Sequence, residues 1–432
     1  PLSPPERQEI RIQQVRAGGY MGTQLLCATP MGKRCLIIYP WDLNETTGVA
    51  LMLSYSRALR DAGYRLDCYV PRGDSGSTLD GLDHGVFENV FVAPDRDSPV
   101  TGRLEGFGMH SEDSVLVAAG VLASISDYDV AGIHYRRCHS LRKIMPPDLP
   151  LVVFTHDLDS LVCRQEEMVF GTPADDEQAD EAARLKPFNL VTVVGPHDER
   201  ILRSVEPGMP VVEAPYTLTV ENAIGTIREH SPGVLLWISS AASIHRLSFL
   251  WFWNNVWPAI RLARPRCRLI IAGRISDLAM QSRAGADPQV SVLGVVSNTG
   301  RLYRDADVLL APYCFGPGVK TDVIEALSKG IPVATTSPGI YNARIEPGRE
   351  AVVSDQASDY ASQVIELISS PPRRRELARN GREYVRRRHD RHTSLRPLVE
   401  AFERICRGKK TPAKLEASIQ QELDKPLRHL AQ

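Results

Sequence analysis

What most constrains this chain is a pattern that runs twice. Short apolar runs alternate with stretches of helical spacing, and the alternation is broken once by a polar segment carrying Pro215 and Pro232. Short apolar runs of two to five residues bounded by turn residues read as strands buried on both faces, and the helices between them supply the cover, so the pattern predicts parallel sheets. In the first half the predicted strands are 35–39, 66–70, 90–92, 130–134, 151–155 and 190–194, with helices at 49–62, 115–125 and 198–204. In the second half they are 235–239, 269–272, 290–293, 308–311, 332–334 and 352–353, with one long amphipathic helix at 247–262 and only helix beyond Gln356. The fold class expected is α/β, two Rossmann-like doubly wound domains facing across a cleft. Open parallel sheets bind ligands at the carboxyl ends of their strands, so the cleft is where chemistry belongs.

The division expected is an N-terminal extension 1–33, a first domain 34–214, a linker 215–233, a second domain 234–392, a C-terminal helix 393–408 and a tail 409–432. A length of 432 residues suits two or three such units. A net charge of -1 gives no bias toward nucleic acid, and none is expected as a partner. The eight cysteines are scattered, without a C-x-x-C pair or ligand-like spacing to histidine, which fits idle thiols in a reducing compartment. With no leader-like start and no apolar stretch near the roughly 20 residues of a membrane span, the expected location is cytoplasmic.

The most informative residues lie between Asp307 and Gly339. They read as a strand, a loop with Gly316 and Gly318, a helix from Thr321 and another strand. The two glycines let a ligand come close to the backbone, and amides opening the helix near Val319 and Lys320 carry partial positive charge, so an anion belongs there. Lys320 adds a full charge. Glu325 sits one turn beyond Thr321, off the face of Val323, Ala326 and Leu327, where a carboxylate can accept from the vicinal hydroxyls of a ribose.

These residues resemble the nucleotide-sugar site of family-4-type GT-B glycosyltransferases, in the branch with a G-x-G-x-K-x-K-x-x-E-A-x-x-x-G-x-P-V-V-x-T pattern. The matches are Gly316, Gly318, Lys320, Glu325, Ala326, Gly330, Pro332 and Val333. Upstream, Trp251-Phe252, Val256-Trp257-Pro258, Arg264-Pro265 and Ile271-Ala272-Gly273-Arg274 are similar to that branch's W-F, W-P, P and G run. The resemblance covers about half the chain and implies a GT-B fold with the last helix returning to the first domain. It implies donor contacts from Gly48, Gly316, Gly318, Val319, Lys320, Glu325, Arg274 and Val296, and catalytic roles for His156, Arg246 and Lys320. It further implies a nucleotide-sugar donor, a sugar, glycan or lipid-linked acceptor, no cofactor or metal, and retention of configuration.

Other readings stay open at this stage. His156-Asp157 after a strand also suits a helix cap, Gly48 a plain turn, and Arg246 a solvated helix end. Asp127-Tyr-Asp129 and Asp305-Ala-Asp307 read as strand starts rather than metal ligands, and Trp251, Trp253 and Trp257 as helix packing. The arginines between Arg373 and Arg391 read as a solvated face, with peripheral contact to anionic lipid as the rival. The acidic stretch 175–181 reads as an exposed loop or helix near the cleft. Two departures from the resembled pattern stand out: Pro317 replaces the first of two glutamates, and Asp322 replaces a second lysine. Pro317 keeps open a non-catalytic sensor or scaffold, and a nucleotide-sugar epimerase, which uses the same cleft without an acceptor, is the closest enzyme alternative.

Overall fold

A computed structural model describes residues 32–40, 46–70, 85–92, 127–134, 145–170, 178–218, 233–239, 243–273, 285–296 and 298–407, with Ala123 and Arg142. Residues 1–31 of the extension, all of the 115–125 helix but Ala123, Arg274 and the tail lie outside the described residues.

In the first half, β1 (Arg34–Ile38), β2 (Arg65–Val70), β3 (Asn89–Val92), β4 (Val130–His134), β5 (Leu151–Phe154), β6 (Leu190–Val193) and β7 (Val211–Glu213) form one sheet in the order β3-β2-β1-β4-β5-β6-β7. All its pairings are parallel. Around it lie α1 (Thr46–Asp61), α2 (Asp159–Phe170), α3 (Gln178–Leu185) and α4 (Pro196–Val205). In the second half, β8 (Val234–Ser239), β9 (Arg268–Gly273), β10 (Val290–Gly294), β11 (Val308–Ala311), β12 (Val333–Thr335) and β13 (Val352–Val353) form a second parallel sheet, β10-β9-β8-β11-β12-β13. Its helices are α5 (Ser243–Asn255), α6 (Trp257–Ala263), α7 (Gly300–Asp305), α8 (Thr321–Ser328), α9 (Ala357–Ser369), α10 (Pro371–Arg388), α11 (Arg391–Ser394) and α12 (Arg396–Arg407). Strand order reverses between β1 and β4 and again between β8 and β11. Each reversal opens a crevice at the carboxyl edge of its sheet.

The chain crosses between the halves twice, and the crossings are tied together. On the way out, the Tyr55 hydroxyl donates to the Ala214 carbonyl at 2.5 Å and Ser54 bonds Thr217. On the way back, the Leu218 amide donates to the His389 carbonyl at 2.8 Å. α12 then buries Leu398, Ala401 and Phe402 against the first sheet, the Phe402 ring lying 6.0 Å from Phe154 and 6.0 Å from Tyr64.

Four expectations need correction. The helix at 247–262 is two helices, because Pro258 has no amide to donate and its ring clashes with the preceding turn; the break falls at Val256. The acidic stretch is helical from Gln178, as one of its two readings had it, but Glu181 is not exposed: it is buried and accepts from the amides of Asp159 and Ser160 at 2.8 and 3.2 Å, capping α2 from α3. Residues 175–177 lie outside the described residues. The arginine face of α10 is not wholly solvated, since Arg374 and Arg382 are buried. Arg374 turns inward to donate to the Leu367 and Ile368 carbonyls at 2.5 and 2.8 Å, satisfying the open end of α9. Last, α2, β7 and α7 go unpredicted: α7 is a six-residue helix too short to show a period, β7 is a three-residue edge strand with only Val211 buried, and α2 carries polar residues between its apolar ones.

The Asp-x-Asp pairs serve strand starts. Asp129 accepts from the Arg34 amide at 2.8 Å and Asp307 from the Val234 amide at 2.7 Å. Trp257 is buried, and Trp253 stacks on Phe249 at 5.5 Å.

Candidate active site between the two sheets

The loop from Cys314 to Lys320 leaves the carboxyl end of β11 and is pinned at several points. The Cys314 amide donates to Ser248 of α5 at 3.1 Å, the Thr336 hydroxyl to the Tyr313 carbonyl at 2.5 Å, and the Tyr313 hydroxyl to Asp322 at 2.8 Å. Gly316 and Gly318 have φ of 120° and 81°, the left-handed region that a side chain disfavours. Lys320 stands at the N-terminus of α8 and folds back over the loop. Its ammonium donates to the carbonyls of Gly316, Pro317 and Gly318 at 2.9, 2.9 and 3.3 Å. Burial pushes the ammonium down from its ordinary value, while Asp157, Asp322 and Asp198 oppose that shift. Burial also holds Asp322 up at about 6, more than its bond from Tyr313 and its backbone bond pull it down.

The first sheet presents His134 at the end of β4 and His156 just beyond β5. Both are buried, and His134 Nδ1 lies 3.0 Å from His156 Nε2. Burial holds His156 down at about 3 and His134 well below the ordinary imidazole range, so both are neutral near pH 7. His134 Nε2 has no hydrogen-bond partner. A buried lone pair without a partner costs less than a buried N–H without one. The His134 proton is therefore assigned to Nδ1, donating to His156, whose own proton lies on Nδ1. Phe154 stacks on His134 at 4.5 Å and fixes the ring.

The two edges meet. A Cβ on Gly318 would collide with the carboxylate of Asp157, so only glycine admits that approach across the cleft. Likewise Gly195, ahead of α4, lies against Asn342, a non-glycine residue at φ 59°. The Asn342 side-chain oxygen accepts from the His197 and Asp198 amides at 3.1 and 3.3 Å, and His197 stacks on Tyr341 at 4.9 Å. Asp198 is fully buried in this contact with neither carboxylate oxygen partnered, and burial pushes it up to about 7. The Asn342 amide beside it, its nitrogen also unpartnered, offsets only part of that push.

Of the residues singled out from sequence, the structure brings together His156, Gly316, Gly318, Val319 and Lys320 through the Asp157 contact. Glu325 is half-buried on α8, bonded by two tyrosine hydroxyls. Gly48 is not in a loop: α1 begins at Thr46, so Gly48 lies buried in its first turn. Arg246 is likewise inside a helix, in the first turn of α5, with its side chain outside the described residues. Val296 is half-buried two residues beyond β10. The α2 amides at Asp159 and Ser160 go to Glu181, which removes the need for His156 as their cap. Asp198, Asn342, Tyr216 and Tyr303 were not singled out, since only the folded chain shows what they face. Among the described residues no group of three or more His, Cys, Asp or Glu side chains is placed to hold a metal, and no helix is long and apolar enough to cross a membrane.

Comparison with known proteins gives the same picture of the fold. Residues 232–370 match the family Glycosyl transferases group 1. No curated protein matches the chain. Among solved structures, HepE of Anabaena in complex with UDP and glucose superposes with a TM-score of 0.63 at 14% identity, covering 86% of this chain and 100% of that one. Sucrose-phosphate synthase of Thermosynechococcus elongatus gives 0.63 at 16%, covering 90% and 99%. A TarM variant of S. aureus bound to fondaparinux, alpha-GlcNAc-glycerol and UDP gives 0.65 at 10%, covering 86% and 100%. The chain has the GT-B fold, and its second half, over residues 232–370, is a glycosyl transferases group 1 domain.

Proposed function

We propose that this protein transfers a glycosyl group from a nucleoside-diphosphate sugar to a sugar, glycan or lipid-linked acceptor. The observation that carries the reading is the approach of the Gly316–Lys320 loop to His156-Asp157 across the cleft, which brings the loop proposed to take the diphosphate beside a neutral histidine pair. UDP in the HepE and TarM structures supports a nucleoside diphosphate as the leaving group.

The chemistry follows from charge. As the glycosidic bond to phosphate lengthens, positive charge grows on the sugar ring and negative charge on the departing diphosphate. Lys320, once released from its own loop carbonyls, and the amides at the start of α8 meet that negative charge where it develops. His156, being neutral, offers a hydrogen bond without placing a second positive charge against the forming oxocarbenium ion. Metal-free transfer belongs to the same proposal, since the leaving group would be stabilised by the chain's own donors, and retention of configuration is added to it on the resemblance to family-4-type enzymes alone.

Pro317 favours one rival, a protein that binds the donor and does not turn it over, because it replaces a carboxylate expected to touch the sugar. Release of nucleoside diphosphate from labelled sugar nucleotides, with and without acceptors, separates the two. Release by the wild type that is lost in His156→Ala and Lys320→Ala supports transfer. Tight binding without release across a broad acceptor set supports the rival, and conversion of one free sugar nucleotide into another supports an epimerase.

A further inference from the structure

Glu325 is bracketed by hydroxyls from two separate parts of the fold. Tyr216, on the outgoing crossing, donates to Oε1 at 3.3 Å, and Tyr303, on α7, donates to Oε2 at 3.3 Å. Both contacts are long for O–H···O bonds, so the carboxylate is steered by the two rings rather than locked. Burial raises both phenols above their ordinary range, which keeps them protonated and makes them donors only toward this carboxylate. An ionised carboxylate has about four lone-pair sites. One tyrosine on each oxygen leaves about one free site per oxygen, side by side, and that is the pattern two adjacent hydroxyls of a ribose require.

Tyr216 also belongs to the paired crossings between the halves. Its carbonyl faces His389 Nδ1 at 2.6 Å on the return crossing, and His389 Nε2 faces the Tyr384 hydroxyl at 2.9 Å. Burial holds His389 down at about 4, so near pH 7 it is neutral and this link carries no charge. One residue thus joins both crossings to the carboxylate on α8.

Resting on the donor-site reading above, we infer that Tyr216 and Tyr303 are positioning residues that orient Glu325 for a vicinal diol, Tyr216 coupling that orientation to the crossing between the halves.

The test is calorimetric titration of wild type, Tyr216→Phe, Tyr303→Phe and Glu325→Gln with UDP, GDP, ADP and CDP and with their dideoxyribose counterparts. The wild type should prefer the ribose form by roughly tenfold or more, as two hydrogen bonds to a charged group require. Each Phe variant keeps the ring and should lose roughly three- to tenfold on the ribose form while binding the dideoxyribose form as wild type does. Adding either Phe to Glu325→Gln should change nothing further. Equal losses on both forms would mean a structural role only and overturn the inference, as would Phe variants with full ribose preference or a wild type with none. A wild type that binds no nucleoside diphosphate overturns the donor-site reading as well, which distinguishes the two failures.

Discussion

Replacing Asp198 by Asn should stabilise the protein, and by more as the pH rises. The carboxyl is fully buried at the contact between the halves, with neither oxygen in a well-formed hydrogen bond and only the Asn342 side-chain amide beside it. Asp157 and Glu181 push it up further, Lys320 and Asn342 pull it down, and burial outweighs all of them, leaving it at about 7 against an ordinary value of 3.8. Between those two values the folded state holds a proton that the unfolded state has lost. Stability from this group is therefore full below about pH 4 and falls as the pH rises, levelling off above about pH 7. The gap converts to an upper bound of about 4 kcal/mol at pH 8, of which relaxation and water entry will remove part. Asn has nearly the same shape and no charge to desolvate. Its advantage over wild type should grow by about 1 to 3 kcal/mol between pH 4.5 and pH 8 in urea unfolding. Every other titrating group is common to both proteins and cancels in the difference. A difference that stays flat with pH, or an Asn variant losing ground toward pH 8, would refute the assignment of an unpaired buried carboxylate.

Three further outcomes follow from the same contacts. Asp157→Asn removes a negative charge lying against Gly318 and should tighten nucleoside diphosphate binding about tenfold, or about 1.4 kcal/mol, in a titration at pH 8. Gly318→Ala meets both the Asp157 collision and a φ of 81°, and should cost about 1 to 3 kcal/mol in thermal unfolding; adding Asp157→Ala should restore only the steric part. Phe402→Ala empties the space between Phe154 and Tyr64 under α12 and should cost about 3 to 5 kcal/mol, read by denaturant midpoint with little change in slope.

Much of the fold was legible because strands buried on both faces announce themselves. Leu151–Phe154 and Val308–Ala311 are continuous apolar runs, and both are fully buried central strands. The loop around Gly316 and Gly318 was legible for a different reason: left-handed backbone at a helix start leaves few alternatives to glycine. What was not legible depends on partners distant in sequence. Asp198 and Asn342 are 144 residues apart, and nothing local marks either one. Tyr216 falls in a segment read as linker, yet it reaches Glu325, 109 residues on. Glu181 lay in an acidic stretch whose composition suggests solvent, and it is buried because two α2 amides needed an acceptor. The resemblance and the polar turn after β1 place Gly48 in a loop, but α1 already starts at Thr46, and the roughly 1 kcal/mol that glycine costs a helix is small enough for the packing of α1 to override.

The central claim is that the diphosphate of a nucleotide-sugar docks at the Gly316–Lys320 loop, and thermal unfolding with UDP, GDP, dTDP and CMP, on wild type and on Lys320→Ala, tests it most directly. A ligand at about 100 times its dissociation constant adds roughly 2.7 kcal/mol, a rise easily resolved. The account predicts that one diphosphate stabilises the wild type and that Lys320→Ala loses the rise. Stabilisation that survives intact in Lys320→Ala, or none from any nucleotide, would contradict it.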